Sequence, residues 1–334
     1  MNIHIPPKYN LYERNLYKFF HKNLCMVLQE SLGRELLARI WVEINKISHN
    51  IFIDYIEIPI TTKCSLRCKE CSNLIQYYNA GSFFDYKRIT NDVSRLCKAV
   101  NEIDMVRVLG GEPLLHPHLK EIITGLLENK NIHHVQIVTN GTMLFDADML
   151  EVLRDRRVSV DISYYGKVSR KYDSLLKQLE SKRIRFYTNK NLKWTKQSDF
   201  TFQKKTPHEL EKVLNKCKLD CISLMDGEMH LCPRSSNGKD LRIFKADRGD
   251  YVALRKCRTK SQMRKEIYHL LNRKSIVACN YCKVYMQDTL DTCTAGSQIG
   301  KEEALKQYAR LMDINREKSH EFNCVGNWAG VHKT

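Results

Sequence analysis

Three cysteines within eight residues are the chemically most informative feature of this sequence. Cys64, Cys68 and Cys71 follow one another at spacings of four and three residues, directly after the strand-like run 55–61. A four-iron cube takes four protein ligands, usually thiolates, so three local thiolates leave one iron open. An open coordination position distinguishes a catalytic metal site from a structural one. The alternatives are a zinc site, because CxxC pairs commonly bind zinc, and surface thiols.

Polar and glycine residues end three later strand-like segments. Gly110, Gly111 and Glu112 follow the segment 105–109, Asn140 follows 135–139, and Ser163 ends 158–163. Paired glycines at a strand end let a ligand approach the backbone, and a following carboxylate can accept a bond from an ammonium group. The alternative for each of these residues is an ordinary turn.

Strand and helix patterns alternate from residue 53 onwards. The predicted strands are Tyr55–Ile60, Met105–Leu109, Val135–Thr139, Val158–Ser163 and Ile184–Thr188. The predicted helices are Tyr86–Val100, His118–Glu128, Ala147–Arg154 and Arg170–Glu180. Such alternation favours parallel strands with right-handed crossovers, and a functional site at the carboxyl ends of the strands.

The cysteine loop and the Gly-Gly-Glu turn together resemble the radical S-adenosylmethionine (radical SAM) enzymes. The resemblance implies an α/β fold, an incomplete (β/α)6 TIM-like barrel. It also implies that the open iron of a [4Fe–4S] cluster binds S-adenosylmethionine and that the reduced cluster yields a 5′-deoxyadenosyl radical. Gly110, Gly111 and Glu112 would then hold the methionine amino group, Ser163 would lie near the ribose, and Asn140 would line the cleft. The family usually has an aromatic residue before the third cysteine, where this chain has Glu70.

Cysteines become dense again beyond residue 200. Asp226-Gly227 predicts a hairpin turn, which brings Cys217 and Cys232 together. The later CxxC pair, Cys279 and Cys282, can complete a four-thiolate set. The spacing Cys217–Gly227–Cys232 resembles that of the twitch and SPASM auxiliary-cluster domains. Only two cysteines, Cys293 and Cys324, follow Cys282, which favours the shorter twitch form with one auxiliary cluster. Cys221 leaves only five residues before Gly227, so Cys217 is preferred as ligand. The resemblance implies one auxiliary [4Fe–4S] cluster, and structural zinc is the alternative. The predicted auxiliary ligands are Cys217, Cys232, Cys279 and Cys282.

Composition limits the class of protein further. The chain has 334 residues, 43% of them hydrophobic, a net charge of +17 and thirteen cysteines. Without a membrane-spanning run or secretory signal, this number of cysteines favours a reducing cytoplasm. A basic surface suits an acidic flavodoxin or ferredoxin reductant or a phosphorylated substrate. The basic stretch 246–273 has few interleaved aromatic residues, which disfavours nucleic acid as a partner.

Four segments are predicted. Residues 1–50 form a helical extension, 51–205 the barrel, 206–300 a small auxiliary-cluster domain, and 301–334 a C-terminal helix and tail. Two apolar stripes in the extension are expected to pack on the barrel. They comprise Leu16, Phe19, Phe20, Leu24, Val27 and Leu28, and then Leu36, Leu37, Ile40 and Ile44.

The sequence predicts a radical SAM oxidoreductase that dehydrogenates an alcohol group of a sugar or cyclitol. Phosphorylated and nucleotide-linked sugars or cyclitols are included in this prediction. One alternative is a carbohydrate epimerase, with Cys221, Cys257 or Cys293 as hydrogen donor. Another is a peptide- or protein-modifying enzyme, which the helical extension disfavours because such enzymes often carry a winged-helix leader-binding domain. A zinc-stabilised nucleic-acid-binding protein is the alternative of another class.

Overall fold

The computed structural model describes residues 9–24, 32–217, 221–284 and 289–325, with side chains of the last helix up to residue 318. Cys25, Val27, Leu28, the side chain of Cys324 and the termini at 1–8 and 326–334 therefore lie outside the described residues. No helix within the described ranges is long and apolar enough to cross a membrane.

One eight-stranded sheet organises the chain. Its strands in chain order are β1 (Phe52–Pro59), β2 (Glu102–Leu109), β3 (Ile132–Thr139), β4 (Val158–Ser163), β5 (Phe186–Asn189), β7 (Ile222–Met225), β8 (Glu228–His230) and β9 (Tyr251–Ala253). The spatial order is β5-β4-β3-β2-β1-β7-β8-β9, and the first six of these strands run parallel. A separate antiparallel pair joins β6 (Lys193–Thr195) to β10 (Thr292–Thr294). Six parallel strands in this order form an open, partial TIM-like barrel, as predicted.

Helices alternate with the parallel strands. The helices are α1 (Leu11–Phe19), α2 (Leu32–Ile47), α3 (Tyr86–Ala99), α4 (Leu119–Leu127), α5 (Ala147–Val152), α6 (Tyr172–Ser181), α7 (Pro207–Lys216), α8 (Pro233–Asp240), α9 (Lys260–Leu271) and α10 (Lys301–Val325). Side-chain caps fix several starts: Asp85 accepts from Arg88 N at α3, and Thr206 forms a capping box with Glu209 at α7. All four predicted crossover helices are present, with ends shifted by a residue or two.

The N-terminal extension packs only in part as expected. Leu16, Phe19 and Phe20 are buried, and α1 contacts β1. Leu24 is half exposed, and the predicted stripe of α2 faces outward in the described structure: Leu36, Leu37, Ile40 and Ile44 are 60%, 46%, 46% and 55% exposed. Ala38 and Val42 are buried instead. The expectation that this second stripe packs on the barrel was wrong, because α2 packs mainly on α1 and buries its other face.

The sheet continues past the predicted boundary at residue 205. Strand β7 pairs in parallel with β1, and the turn Asp226-Gly227 returns the chain to β8. Both turn residues have positive φ, 45° and 81°, as the favoured two-residue hairpin turn requires. The barrel and the following cysteine-rich segment therefore share one sheet.

Two arginines of the basic stretch 246–273 are built into the fold. Arg264 donates hydrogen bonds to Ala99 O, His49 O and the Asn101 side chain, which ties α9 to the barrel. Arg273 pairs with the buried Asp250 at 3.1 Å. These two arginines serve packing, so this face offers less free charge to a partner than the sequence suggests.

Candidate functional site

A cavity of about 320 Å³ opens at the carboxyl ends of the parallel strands. This size lies at the lower end of the range for small-molecule sites. It brings together most of the residues predicted for the site: Cys64, Cys68, Cys71, Gly110, Gly111, Asn140 and Ser163. The three cysteines thus share one cavity with the ends of three strands.

The cysteine loop is held from both sides. Lys69 N donates to Ser297 O at 2.7 Å, and Ile299 N donates to Arg67 O at 2.9 Å, so residues 297–299 lie along the loop. On the other side the buried Glu70 carboxylate accepts from Gln197 N, Ser198 N and Ser198 Oγ at 2.7, 2.6 and 3.0 Å. Glu70, which stands before the third cysteine where the family that this loop resembles usually has an aromatic residue, therefore anchors the cysteine loop.

The two glycines let the loop lie directly on the end of β2. A Cβ on Gly110, whose φ is +150°, would lie 2.2 Å from Thr61 O. A Cβ on Gly111 would lie 2.0 Å from Lys63 O. Gly111 N donates to Thr61 O at 2.8 Å, and Glu112 N donates to Lys63 O at 2.9 Å. Only glycine permits this approach.

Glu112 lies behind the cavity and not in its described lining. Its fully buried carboxylate accepts from Thr139 Oγ1 at 2.8 Å, Asn140 N at 2.9 Å and Leu114 N at 3.2 Å. Burial raises the pKa of this carboxyl to about 7, although these hydrogen bonds oppose the rise. Glu112 thus clamps the end of β3 to the end of β2, and its predicted contact with an amino group remains a prediction.

Asn140 joins β3 to the cysteine loop. Its Nδ2 donates to Ser65 Oγ at 3.1 Å and lies 3.6 Å from Cys64 Sγ, while its Oδ1 accepts from Thr142 N at 3.0 Å. Burial raises the pKa of the Cys64 and Cys68 thiols to about 12. These thiols are neutral at pH 7 and must lose protons when they bind a metal.

A charged network forms the floor of the cavity. Arg107 donates to Asp161 Oδ2 at 2.6 Å and to Tyr55 Oη at 2.5 Å, and Tyr55 donates to Glu57 Oε1 at 2.7 Å. Burial raises the pKa of Glu57 and of Asp161, although Arg107 opposes the rise in both. Glu57 and Arg107 line the cavity and are register partners on β1 and β2. The floor therefore offers a polar ligand both an acceptor and a donor.

This charged floor was not predicted from the sequence. The signal was present as a single charged residue inside each of three predicted strand segments: Glu57 in 55–60, Arg107 in 105–109 and Asp161 in 158–163. Because strands buried on both faces are usually near-continuous apolar runs, a charge at their centre marks a paired or functional position.

A second set of cysteines lies beside the first cavity. Cys217, Cys232, Cys279 and Cys282, the four predicted ligands, line one small cavity together with Leu11 of α1. It measures about 30 Å³, about one water molecule, so the cysteines must spread to admit a cube. Burial and the neighbouring thiols Cys282 and Cys217 raise the pKa of Cys232 to about 12. Within the described ranges, no three Cys, His, Asp or Glu side chains converge on a single-ion site.

Arg234 forms the wall between the two cavities and lines both of them. It is 1% exposed, and its guanidinium carbon lies 4.4 Å from the centre of the Phe200 ring. None of its three guanidinium nitrogens has a hydrogen-bond partner in the described structure. Its charge lowers the pKa of Cys71 and of Cys232, although burial, the larger effect, raises both.

Comparison with known proteins agrees with this arrangement. Residues 58–189, which run from the end of β1 to β5, match the model of the Radical SAM superfamily. This chain contains a radical SAM domain. The radical SAM domain spans the cysteine loop, the glycine turn and the ends of β3 and β4, which are among the elements that line the cavity.

The curated relatives share only part of their length with this chain. A GTP 3′,8-cyclase of Clostridium acetobutylicum is 34% identical over 98 residues, 29% of this chain and 30% of that protein. The molybdenum cofactor biosynthesis protein moc-5 of Caenorhabditis elegans is 30% identical over 139 residues, 38% of this chain and 22% of that protein. Among solved structures, BtrN in complex with AdoMet and 2-DOIA aligns with a TM-score of 0.40 and 15% identity, covering 75% of this chain and 100% of that one. The chain thus spans about three tenths or less of the curated relatives.

The radical SAM domain implies a [4Fe–4S] cluster and S-adenosylmethionine as cofactors, and the residues present fit this pair. Three thiols line one cavity, and the glycine turn leaves the backbone of β2 open beside them. At the second site the donor set is four thiols, which suits a cluster or zinc. The buried guanidinium of Arg234 beside it, which has no hydrogen-bond partner among the described residues, suits an anionic group.

The three candidate hydrogen donors take different positions. Cys221 lines the radical SAM cavity, at the amino end of β7. Cys257 is buried near Ala253 O and the Glu266 carboxylate, and Cys293 lies on β10 opposite Trp194. Neither of these two belongs to the described lining of the cavity. Cys221 is thus the candidate that the structure brings to the site.

Proposed function

We propose that this protein is a radical SAM oxidoreductase that removes hydrogen from a hydroxyl-bearing carbon of a small polar molecule, a sugar or cyclitol. The observation that carries the proposal is a single cavity that is lined by three thiols and by the charged pair Glu57 and Arg107, with Arg107 hydrogen-bonded to Asp161 behind it. The proposed ligands of the catalytic cluster are Cys64, Cys68 and Cys71. Bound there, the cluster and S-adenosylmethionine supply a radical that abstracts a hydrogen atom from the substrate.

The chain's own residues bind and orient both molecules. The open backbone at Gly110 and Gly111 would receive the methionine end of S-adenosylmethionine, and Asn140 and Ser163 would face its nucleoside. Arg107, held in place by Asp161 and Tyr55, would donate hydrogen bonds to substrate hydroxyls at the floor. Such positioning is what the protein contributes when the cofactor carries the reactive chemistry.

Oxidation of an alcohol also releases a proton, and Glu57 is placed to take it. Its carboxylate lines the cavity, and burial raises its pKa, which brings it closer to the operating pH of a general base. The remaining electron needs an acceptor. Cys217, Cys232, Cys279 and Cys282 would hold a second cluster on the far side of Arg234, and this group supplies an electron acceptor.

The names of the curated relatives suggest a purine nucleotide as an alternative substrate. The described lining of the cavity speaks against a triphosphate. Its basic groups are Arg107, whose charge is shared with Asp161 and Glu57, and Arg234, whose nitrogens are buried. A triphosphate needs several exposed cationic groups or a metal ion. A small uncharged polyol, or one with a single anionic group, fits these charges better.

A second candidate is an epimerase, and the position of Cys221 favours it. A thiol that faces the cavity can return a hydrogen atom to the opposite face of the substrate carbon. Oxidation and epimerisation leave different products, a ketone two mass units lighter or an isomer of unchanged mass. Product analysis in deuterated water with wild type and Cys221→Ser therefore separates them. A deuterated isomer that the variant no longer makes would exclude the oxidation.

Metal analysis under anaerobic conditions tests the two sites. Reconstituted wild type should hold about eight iron atoms per chain, and a variant with Ala at Cys64, Cys68 and Cys71 about four. That variant should not make 5′-deoxyadenosine with dithionite. About four iron atoms in the wild type, together with one zinc, would show that the second site is structural zinc and would remove the electron acceptor.

Substrate panels test the reaction itself. Candidate sugars and cyclitols carrying deuterium on hydroxyl-bearing carbons should transfer it to 5′-deoxyadenosine, and Glu57→Gln should slow product formation at saturating substrate. Serine peptides and GTP belong in the same panel. Turnover of either one, with no transfer from any polyol, would refute the sugar or cyclitol assignment.

A further inference from the structure

We infer that Arg234 is a shared cationic residue that raises the reduction potentials of the clusters at both thiolate sites. It acts as a positioning residue for charge and does not touch the reacting atoms. The inference rests on the proposed function, because it requires clusters at both sites.

The first support is placement. Arg234 is the second residue of α8, and Cys232 is the N-cap of the same helix. The side chain lines the cavity of Cys64, Cys68 and Cys71 as well as the cavity of the four C-terminal cysteines. A charge in a shared wall acts on both neighbours, and the amino end of α8 adds positive potential on the Cys232 side.

The second support is the missing counter-charge. Two partly buried arginines elsewhere have carboxylates: Arg107 pairs with Asp161 at 2.6 Å, and Arg273 with Asp250 at 3.1 Å. Arg234 has no ion pair and no hydrogen bond within the described ranges. An isolated buried guanidinium is costly, so a buried cation is normally compensated by an anion.

The sulfur ligands provide that anion when metal is bound. Four thiolates outweigh the charge of a four-iron, four-sulfide core, so the assembled group is anionic. Because the Arg234 nitrogens have almost no accessible surface, a substrate anion in the open cavity is a poorer partner than a group built into the wall. Proposed cysteine ligands line the cavity on each side of Arg234.

The effect on reduction follows from charge. One electron from a soluble reductant, a flavodoxin or dithionite, enters a cluster and makes it one unit more negative, while no bond breaks and no proton moves. A nearby fixed cation stabilises the more negative state, and cluster potentials respond to net charge and hydrogen bonds. Removal of the cation should therefore make each cluster harder to reduce.

Arg234→Met tests this with Arg234→Lys and Ser236→Ala as matched variants. Methionine retains an unbranched apolar stem without the charge, and lysine retains the charge. Ser236 is buried on the same helix and donates to Pro233 O, so its loss disturbs α8 without a charge change. Potentiometric titration followed by electron paramagnetic resonance gives both potentials in iron-loaded protein, each assigned in variants that lack one cysteine set.

At a fixed applied potential, we expect Arg234→Met to lower the ratio of reduced to oxidised cluster about tenfold at each site. For a one-electron step this corresponds to a reduction potential about 59 mV lower than in the wild type. Arg234→Lys should keep most of the wild-type value, and Ser236→Ala should leave both potentials unchanged. Unchanged potentials in Arg234→Met, at wild-type iron content, would overturn the inference and leave the proposed function intact. A wild type without iron at the second site would overturn the two-cluster proposal instead.

The apo-protein gives a second measurement if Arg234→Met loads iron poorly. Without clusters, the unpaired charge destabilises the fold, so Arg234→Met should unfold at the same or higher denaturant concentration than wild type. A purely structural arginine would give the opposite order. A less stable apo variant would therefore also overturn the inference.

Discussion

Replacement of Gly111 by alanine should separate the cysteine loop from the end of β2. The added Cβ would lie 2.0 Å from Lys63 O, 2.4 Å from Lys63 C and 2.9 Å from the Cβ of Cys64. Ordinary contacts of this kind begin at about 3.4 Å, so the loop backbone would have to withdraw by roughly 1.4 Å. The two closest of these atoms belong to the backbone, which cannot rotate away as a flexible side chain would.

The cost follows from the bonds that such a movement breaks. Gly111 N donates to Thr61 O at 2.8 Å, and Glu112 N donates to Lys63 O at 2.9 Å. Loss of two buried backbone hydrogen bonds costs about 2 kcal/mol, and overpacking adds about 1–3 kcal/mol. We therefore expect Gly111→Ala to lose about 3–5 kcal/mol of unfolding free energy in the apo-protein.

Gly300→Ala is the matched control, because a Cβ at Gly300 meets no atom within 4 Å. Denaturant unfolding of both apo variants measures the loss, and iron content after reconstitution measures the displacement of Cys64. We expect the Gly111 variant to bind about half the wild-type iron, since only the second site is intact, and the Gly300 variant to match wild type. Wild-type stability and iron content in Gly111→Ala would refute the close approach of the loop to β2.

Two further substitutions test the supports of the site. Glu70→Ala removes the acceptor of Gln197 N and of Ser198 N, so the apo-protein should lose about 2–3 kcal/mol of unfolding free energy, measured in denaturant. Glu70→Gln retains one acceptor oxygen and should lose less unfolding free energy. Equal losses in the two variants would contradict the role of Glu70 as an anchor. Glu112 has a pKa raised to about 7, so its contribution to stability is fully present below about pH 4.5 and is lost as the pH rises through 7. The stability of wild type relative to Glu112→Gln should therefore fall by about 3 kcal/mol between pH 4.5 and 7, and a constant difference would show that Glu112 titrates normally.

The parallel half of the fold could be predicted because its signals are local. Each strand from β1 to β4 contains closely spaced Val or Ile residues, and Asp85, Asp146 and Thr206 cap helices by accepting hydrogen bonds from residues three positions later. The glycine turn and the cysteine loop could be related because parallel strands place their carboxyl ends at one edge.

The remaining features depend on contacts between distant residues. The role of Glu70 as an anchor requires residues 197–198, and the isolation of Arg234 requires knowledge of every group around it. The pairing of β7 with β1 is equally non-local. The outward face of α2 was misjudged because a helical apolar stripe indicates which residues share a face, without indicating whether that face is covered.

The position of β1 in the sheet has a consequence for how the protein folds during synthesis. Ile56 of β1 pairs with Ile222 of β7, 166 residues later in the chain. Until those residues leave the ribosome, one edge of β1 presents unpaired backbone groups beside apolar side chains, and such edges promote aggregation. A protein that ends at residue 205 would keep this edge permanently open, so we expect it to precipitate even though it contains the whole matched segment 58–189.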